Sequence, residues 1–326
     1  MKISFLGDVV LDKPYKVDIE LDDFVFNLEY PLSTSGTPAK NKINLGADTP
    51  YIKETFGKFP IAVNLANNHI MDYGEEAFLK TVDYLTANSI GFFGAGNKKN
   101  NYNNPYIVNF KDKKIALLGY SCPTTHAVFG GDTFNGSALL DVDEIIKDID
   151  SCRRDVDMVI VSLHWGDEQI KHPKPADVNK AHMLIDAGAD MIYGHHAHVM
   201  QSVEIYKGKY IFYGVGNFLF PDMEVPSNYD GEKFQRRTIR MQQKKNRQAL
   251  MIDLDEGLSV SYDTAFFQEG TVLKKRAQVP KWIPKTQKQY DWSLMYERRL
   301  GTIQRFLKDP RLPTSKQIKI FVGLKG

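Results

Sequence analysis

Short apolar runs alternate with amphipathic stretches over roughly the first 220 residues, a pattern of strands interleaved with helices in a layered α/β domain. The runs predict strands at Ile3–Leu6, Phe24–Leu28, Ile61–Leu65, Ile90–Phe93, Tyr106–Phe110, Ile115–Tyr120, Met158–Leu163, Met191–Tyr193 and Tyr210–Val215. Helical spacing predicts helices at Glu75–Ala87, Val142–Cys152 and Ala176–Ala187. The polar stretch Lys111-Asp112-Lys113-Lys114 between two strand runs reads as a hairpin turn, so part of the sheet is expected to be antiparallel and the whole mixed.

After Phe220 the character changes. Pro221, Pro226, Asn228, Asp230 and Gly231 mark a loop, and Lys233 to Arg247 then carries seven basic residues and no acidic one. Leu250–Leu254 and Leu258–Tyr262 predict a closing hairpin around Asp255-Glu256-Gly257. The expected organisation is a domain over residues 1–262 and a C-terminal extension, 263–326, packing on it. That extension has prolines in Val279–Pro284 and Pro310–Pro313 and helical character around Asp291–Lys308.

Composition adds little to this picture. A chain of 326 residues, 42% apolar and 25% charged, can bury a sizeable core, and a formal charge of +2 selects no partner. Only Cys122 and Cys152 are present, which excludes a disulfide framework, and neither has a ligand-type neighbour. No run reaches the roughly 20 apolar residues of a spanning helix, and the start is too short in apolar residues for a signal peptide, so a cytoplasmic location is expected. There is no Walker A loop and no Gly-x-Ser-x-Gly elbow, and the overall charge disfavours nucleic acid as a partner.

Chemistry enters through the polar residues at the ends of the apolar runs. Asp8, Glu29, Asn68, His164 and His196 each lie at or just past the C-terminal end of a strand candidate, where open α/β sheets carry ligand sites. Asn68-His69 in the box Asn64–Gly74, together with Gly194-His195-His196-Ala197-His198, adds amide and imidazole donors at ligand spacing. Carboxylate, amide and imidazole in one set suit two divalent cations such as Mn²⁺, Fe²⁺ or Zn²⁺. Each residue alone also has a structural reading: Asp8 as a cap, Asn67 and Asn68 as turn formers, His164 as a bonded core histidine.

The box Asn68-His69-Ile70-Met71-Asp72-Tyr73-Gly74 resembles the Gly-Asn-His-Glu-Phe-Asp-Tyr-Gly segment of 5′-nucleotidases among the calcineurin-like metallophosphoesterases. As a set, Gly7–Leu11, Asn27–Pro31, Asn64–Gly74, Leu163–Gly166, Gly188–Asp190, Gly194–Val199 and Gly216–Phe218 is similar to the CapA family of poly-γ-glutamate capsule biosynthesis. The resemblance covers residues 3 to 220. It implies a four-layer α-β-β-α metallophosphoesterase-like sandwich with mixed sheets. It also implies Asp8 as a ligand of one metal, Glu29 as the bridging carboxylate and Asn68 as a ligand of the second metal. His164, His196 and His198 would complete the shells, with His195 a further ligand or a support. His69 would stand beside the substrate as acid or stabiliser, and Asn67, Asp72 and Asn217 would support the site.

The implied activity is phosphoester hydrolysis by a metal-bound hydroxide on an anionic small molecule or polymer, alongside capsule-biosynthesis proteins. Three departures bear on it. Val10 stands where many metallophosphoesterases carry a histidine, Glu29 where they carry aspartate, and Asn67 where they carry glycine. The missing histidine thins one metal site and keeps two alternatives open: a polymer-assembly component with little turnover, and a metal-dependent γ-glutamyl amide hydrolase or transferase. Lys233–Arg247 is either a solvated face or an electrostatic lip for a polyanion.

Overall fold

The first strand, Lys2–Val9, is buried on both faces from Ile3 onward, because it runs through the middle of a sheet covered on either side. In the computed structural model, which describes residues 1–308, that sheet has nine strands. On one flank Lys2–Val9 pairs in parallel with Asp23–Leu28, followed by Ala62–Asn64 and Gly91–Phe93, also parallel. On the other it pairs antiparallel with Gln248–Asp255, and then come Val260–Gln268, Thr271–Lys274 and Lys16–Asp18. Asn217–Leu219 lies against the end of the first strand.

A second sheet has six strands in the order Val203–Tyr206, Lys209–Phe212, Met191–His195, Met158–His164, Lys113–Ser121, Tyr106–Phe110. Its inner pairs are parallel and its edge hairpins antiparallel. The two sheets face each other across a shared core that includes Phe5, Val25 and Ile252 from one and Leu117, Ile160 and Tyr193 from the other. Outside the first sheet, helix Gly74–Ala87 buries Ala77, Phe78, Thr81 and Leu85, a spacing that puts them on one face. Outside the second, Val142–Cys152 and Pro175–Asp186 bury their apolar faces. Asp141 caps the former by accepting from the backbone N–H groups of Asp143 and Glu144, worth about 1 kcal/mol. The order of layers is therefore α-β-β-α, a four-layer sandwich with mixed sheets.

Most expected elements are present within a residue or two, and Tyr106–Phe110 and Val142–Cys152 have the expected limits. Two expectations change. The expected loop and basic stretch after Phe220 contain an antiparallel hairpin, Met223–Tyr229 with Phe234–Arg240. Pro226 is tolerated there because the hairpin is a separate two-stranded ribbon, bridged at Tyr229 and Ser227 to Lys40 and Ile43. Residue 262 falls inside the strand Val260–Gln268, whose neighbour Thr271–Lys274 also belongs to the large sheet. Beyond it, Trp282 is tied to Ser202 through its carbonyl, and helix Gln287–Lys308 docks through a Tyr290 hydroxyl donating to Asp167. Pro310 and Pro313 lie outside the described residues.

Candidate metal centre

Parallel register aligns three polar side chains across the first sheet: Asp8 is opposite Asn27, and Asn27 is opposite Asn64. All three are fully buried. Asn64 donates to Asn27 Oδ1 at 3.1 Å, and the Asn27 amide donates to Asp8 Oδ1 at 2.8 Å and also to Glu29. One amide thus spans two carboxylates that would otherwise repel each other. On the other side of Asp8, Gly7 lets the chain pass close by: a Cβ there would come 2.0 Å from the Gly216 carbonyl oxygen. That approach sets Asn217 beside Asp8 in parallel register.

The second sheet delivers the imidazoles. His164 and His195 end adjacent parallel strands and face each other in register. His195 Nδ1 is 2.9 Å from Asp8 Oδ1, and His198 Nδ1 is 3.2 Å from Asp8 Oδ2 and 2.9 Å from Asn217 Oδ1. His164 Nε2 lies 2.8 Å from Asn68 Oδ1, 3.1 Å from His196 Nδ1 and 3.7 Å from Glu29 Oε1. Glu29 Oε1 is also 3.9 Å from His198 Nε2, so this one oxygen stands between the two histidine groups. His196 and His198 adopt left-handed backbone, φ 83° and 55°, which costs on the order of 1–3 kcal/mol per residue and is characteristic of functional sites.

The donor set fits divalent cations. One ligand atom each from Asp8, Glu29 and His164 lies within 4.8 Å of the others; among the described residues Glu29 Oε1 is buried with no hydrogen-bond donor, and Asp8 Oδ2 is buried with only the His198 ring, at 3.2 Å, beside it. Buried polar atoms are normally paired, and a shared cation would satisfy both. Electrostatics agree. Burial, with the Asp8 charge beside it, pushes Glu29 well above the usual carboxylate range. Asp8 is held low, since its bonds to His195 and His198 outweigh the burial that opposes them. Burial and the His198 charge push His196 down to about 4, and burial also depresses His164. His198 is pushed up to about 9, where its bond to Asp8 and the surrounding carboxylates overcome burial.

The Asn64–Gly74 loop folds around its own polar groups. Asn67 Oδ1 accepts from the His69 and Ile70 N–H groups, and its amide donates to Asn27 Oδ1 and the Leu28 carbonyl. His69 Nδ1 is 2.6 Å from Asp72 Oδ2, which also accepts from the Leu45 N–H. Lys42 clamps this corner, 2.5 Å from Asp72 Oδ1 and donating to the Asn68 carbonyl at 2.6 Å. Burial, assisted by the Lys42 and Arg240 charges against Asp72, lowers the His69 pKa. Asp72 therefore holds His69 and lies outside the carboxylate–histidine group.

The profile described as "Bacterial capsule synthesis protein PGA_cap" matches residues 19–222, more than half of the chain. The chain belongs to the CapA family. It is 32% identical over 245 residues to the capsule biosynthesis protein CapA of Bacillus anthracis, covering 68% of this chain and 60% of that protein. It is 34% identical over 164 residues to the PGA biosynthesis protein CapA of Bacillus subtilis, covering 48% and 42%. The chain thus spans less than two-thirds of either relative. Among solved structures, a hypothetical protein from Thermus thermophilus aligns with a TM-score of 0.40 at 13% identity, over 84% of this chain and 96% of that one. A 5′-nucleotidase precursor from the same organism aligns at 0.37 and 15%, over 75% and 44%.

Asp8 precedes the segment matched to the CapA family and enters the cluster through the fold. The structure brings together Asp8, Glu29, Asn68, His164, His195, His196 and His198, with Asn67, Asp72, His69 and Asn217 around them. His172 bonds to the Trp282 carbonyl, and His182 pairs with Glu204 and stacks on Tyr206. Sequence reasoning missed Asn27 and Glu168. Asn27 carried a signal, since it sits two residues before Glu29 and so shares a strand direction with it. Glu168 follows His164 by four residues in a loop held by Gln169, whose N–H donates to the Ala197 carbonyl. Burial resists the charge on Glu168, but the fields of His198, Arg240, His196 and His69 prevail and lower its pKa.

Proposed function

We propose that this chain is a metal-dependent hydrolase of an anionic phosphoester, working in capsule or poly-γ-glutamate biosynthesis. The observation that carries the reading is Glu29 Oε1, buried without a hydrogen-bond donor between His164 Nε2 and His198 Nε2. Asp8, Glu29 and His198 would hold one divalent cation; Glu29, Asn68, His164 and His196 would hold the other. Such a pair supplies Lewis acidity toward the phosphoryl oxygens and lowers the pKa of a water. His195 orients Asp8, and Asn217 orients His198.

His69 moves the proton. Asp72 and the Leu45 N–H fix the ring through Nδ1, which leaves Nε2 as the atom that exchanges a proton with the substrate. Burial keeps the resting ring neutral, and an anionic group arriving beside it favours the protonated form that the leaving oxygen needs. Val10, in place of a metal-binding side chain near Asp8, supports a second reading in which the site binds an anionic polymer for assembly with little turnover.

The test is metal content together with hydrolysis of phosphomonoester, phosphodiester and γ-glutamyl substrates. His69→Ala is expected to retain metal and lose turnover by at least 100-fold, whereas His196→Ala and His198→Ala lose metal. Equal metal loss in all three variants would sink this division of roles. Stoichiometric metal with no bond cleaved would favour the assembly reading, and cleavage confined to γ-glutamyl substrates would move the chemistry to the amide bond.

A further inference from the structure

The hairpin over the basic stretch turns one of its sides toward the body of the protein. Cross-strand partners share a face, so Met223 and Arg240, Val225 and Thr238, and Ser227 and Arg236 lie together on one side of the ribbon. That side faces the body of the protein: Val225 and Ser227 are buried, Met223 packs against the core of the first sheet, and Ser227 and Thr238 share a hydrogen bond of 2.7 Å. Ile239 and Arg237, on the other side, are exposed, and Arg237 pairs with Glu224 at 3.2 Å. The ribbon is tied to the segment carrying Lys42, through bridges at Lys40 and Ile43 and an Asn228 N–H donating to the Lys42 carbonyl. It therefore stands beside the corner where Lys42 clamps Asn68 and Asp72.

Arg240 is half-buried, and its Nε is fully buried with no hydrogen-bond partner. Among the described residues, none forms an ion pair with it. Arg240 stands opposite Met223, three residues beyond Phe220, whose ring lies 5.4 Å from that of His198, so this end of the ribbon adjoins the histidine cluster, and the Arg240 charge acts on both His69 and Glu168. A guanidinium nitrogen buried without an acceptor loses hydration and gains nothing in return, a cost that an oxyanion bound along that edge removes with two parallel charge-assisted hydrogen bonds.

We propose that Arg240 is the oxyanion-binding residue of this site, taking the negative oxygens of the phosphoryl group presented to His69. The inference rests on the hydrolase reading above for the position of that group. It sets the substrate class as one with an unesterified phosphoryl oxygen facing the hairpin. Arg237 and Arg247 are already engaged, by Glu224 at 3.2 Å and by Asp222 at 2.6 Å.

The test titrates inorganic phosphate into Mn²⁺-loaded and metal-free full-length protein by calorimetry, with metal content measured in parallel. Arg240→Gln is expected to weaken phosphate binding at least tenfold and Arg240→Lys by less, with metal content and melting temperature kept. Arg237→Gln is expected to match the unmodified protein. Phosphate affinity within twofold of the unmodified protein in Arg240→Gln overturns the proposal, as does an unmodified protein that binds no phosphate. A second titration uses a γ-linked glutamate oligomer; if Arg240→Gln weakens the oligomer and leaves phosphate unchanged, the phosphoryl assignment is overturned in favour of a polymer carboxylate. Failure to bind metal refutes the hydrolase reading separately, because the metal-free titration still reads the contribution of Arg240.

Discussion

At the scale of single residues, the site depends on amides and carboxylates that hold other groups in place. Asn27 bonds to both Asp8 and Glu29, Asn67 satisfies two backbone N–H groups of its own loop, and Asp72 fixes His69. Replacing Asp72 with Asn keeps the shape and removes the charge, so the ring is no longer held with its proton at Nδ1. Asp72→Asn is expected to lower kcat by about 10–100-fold with metal content unchanged, the size usual for groups that orient a functional histidine. A fall in metal content equal to the fall in kcat would place Asp72 among the ligands. The residue types of this site were visible in the chain, since Asn-His and three histidines within five positions are not needed to build strands. Their division into holders and held was not visible, because it depends on distances such as the 2.6 Å from Asp72 to His69.

At the scale of elements, strand register assembles the centre. The pairing of Asp8 with Asn27 and of His164 with His195 brings two rows of donors to the ends of two sheets. Gly7 and Gly194 are the close-approach points: added Cβ atoms would come 2.0 Å and 2.1 Å from the carbonyl oxygens of Gly216 and Tyr213. Neither oxygen can yield without shifting a strand. Gly7→Ala is therefore expected to cost about 1–3 kcal/mol in urea unfolding and to reduce metal occupancy through displacement of Asp8. Unchanged stability would mean that the 216–219 segment moves freely. Strand positions were legible from apolar runs because these strands are buried on both faces. The hairpin after Phe220 was not, since arginines and Pro226 obscure its alternation and its stability comes from packing on the 40–43 segment.

At the scale of the whole molecule, two sheets close on a buried cluster of charge, and this makes the metal-free protein sensitive to pH. His198 is raised from 6.5 to about 9 by Asp8 and neighbouring carboxylates against the effect of burial. Its contribution to stability is therefore fully present below pH 6.5 and is lost as pH rises through 9, on the order of 3 kcal/mol. Glu29, raised by burial and Asp8, changes in the same direction. Chelated protein is expected to melt at a lower temperature at pH 9.5 than at pH 6.5, and Mn²⁺-loaded protein to lose much less, since the cation takes the place of the proton. A metal-free melting temperature that rises between these pH values would contradict the assignment.

The amino-acid sequence alone determined the alternation of buried strands with amphipathic helices, the polar residues at strand ends and the family resemblance, because these are local patterns of residue type. Tertiary structure alone decided that donors more than 180 positions apart, such as Asp8 and His195, meet at 2.9 Å, that the charges of His198 and His196 act on Glu168, and that Arg240 shares a face of its ribbon with Met223 and Val225. The physical reason is that periodicity sets which face a side chain occupies, whereas the meeting of faces is set by sheet register, the packing of one sheet on the other, and glycines that permit close approach.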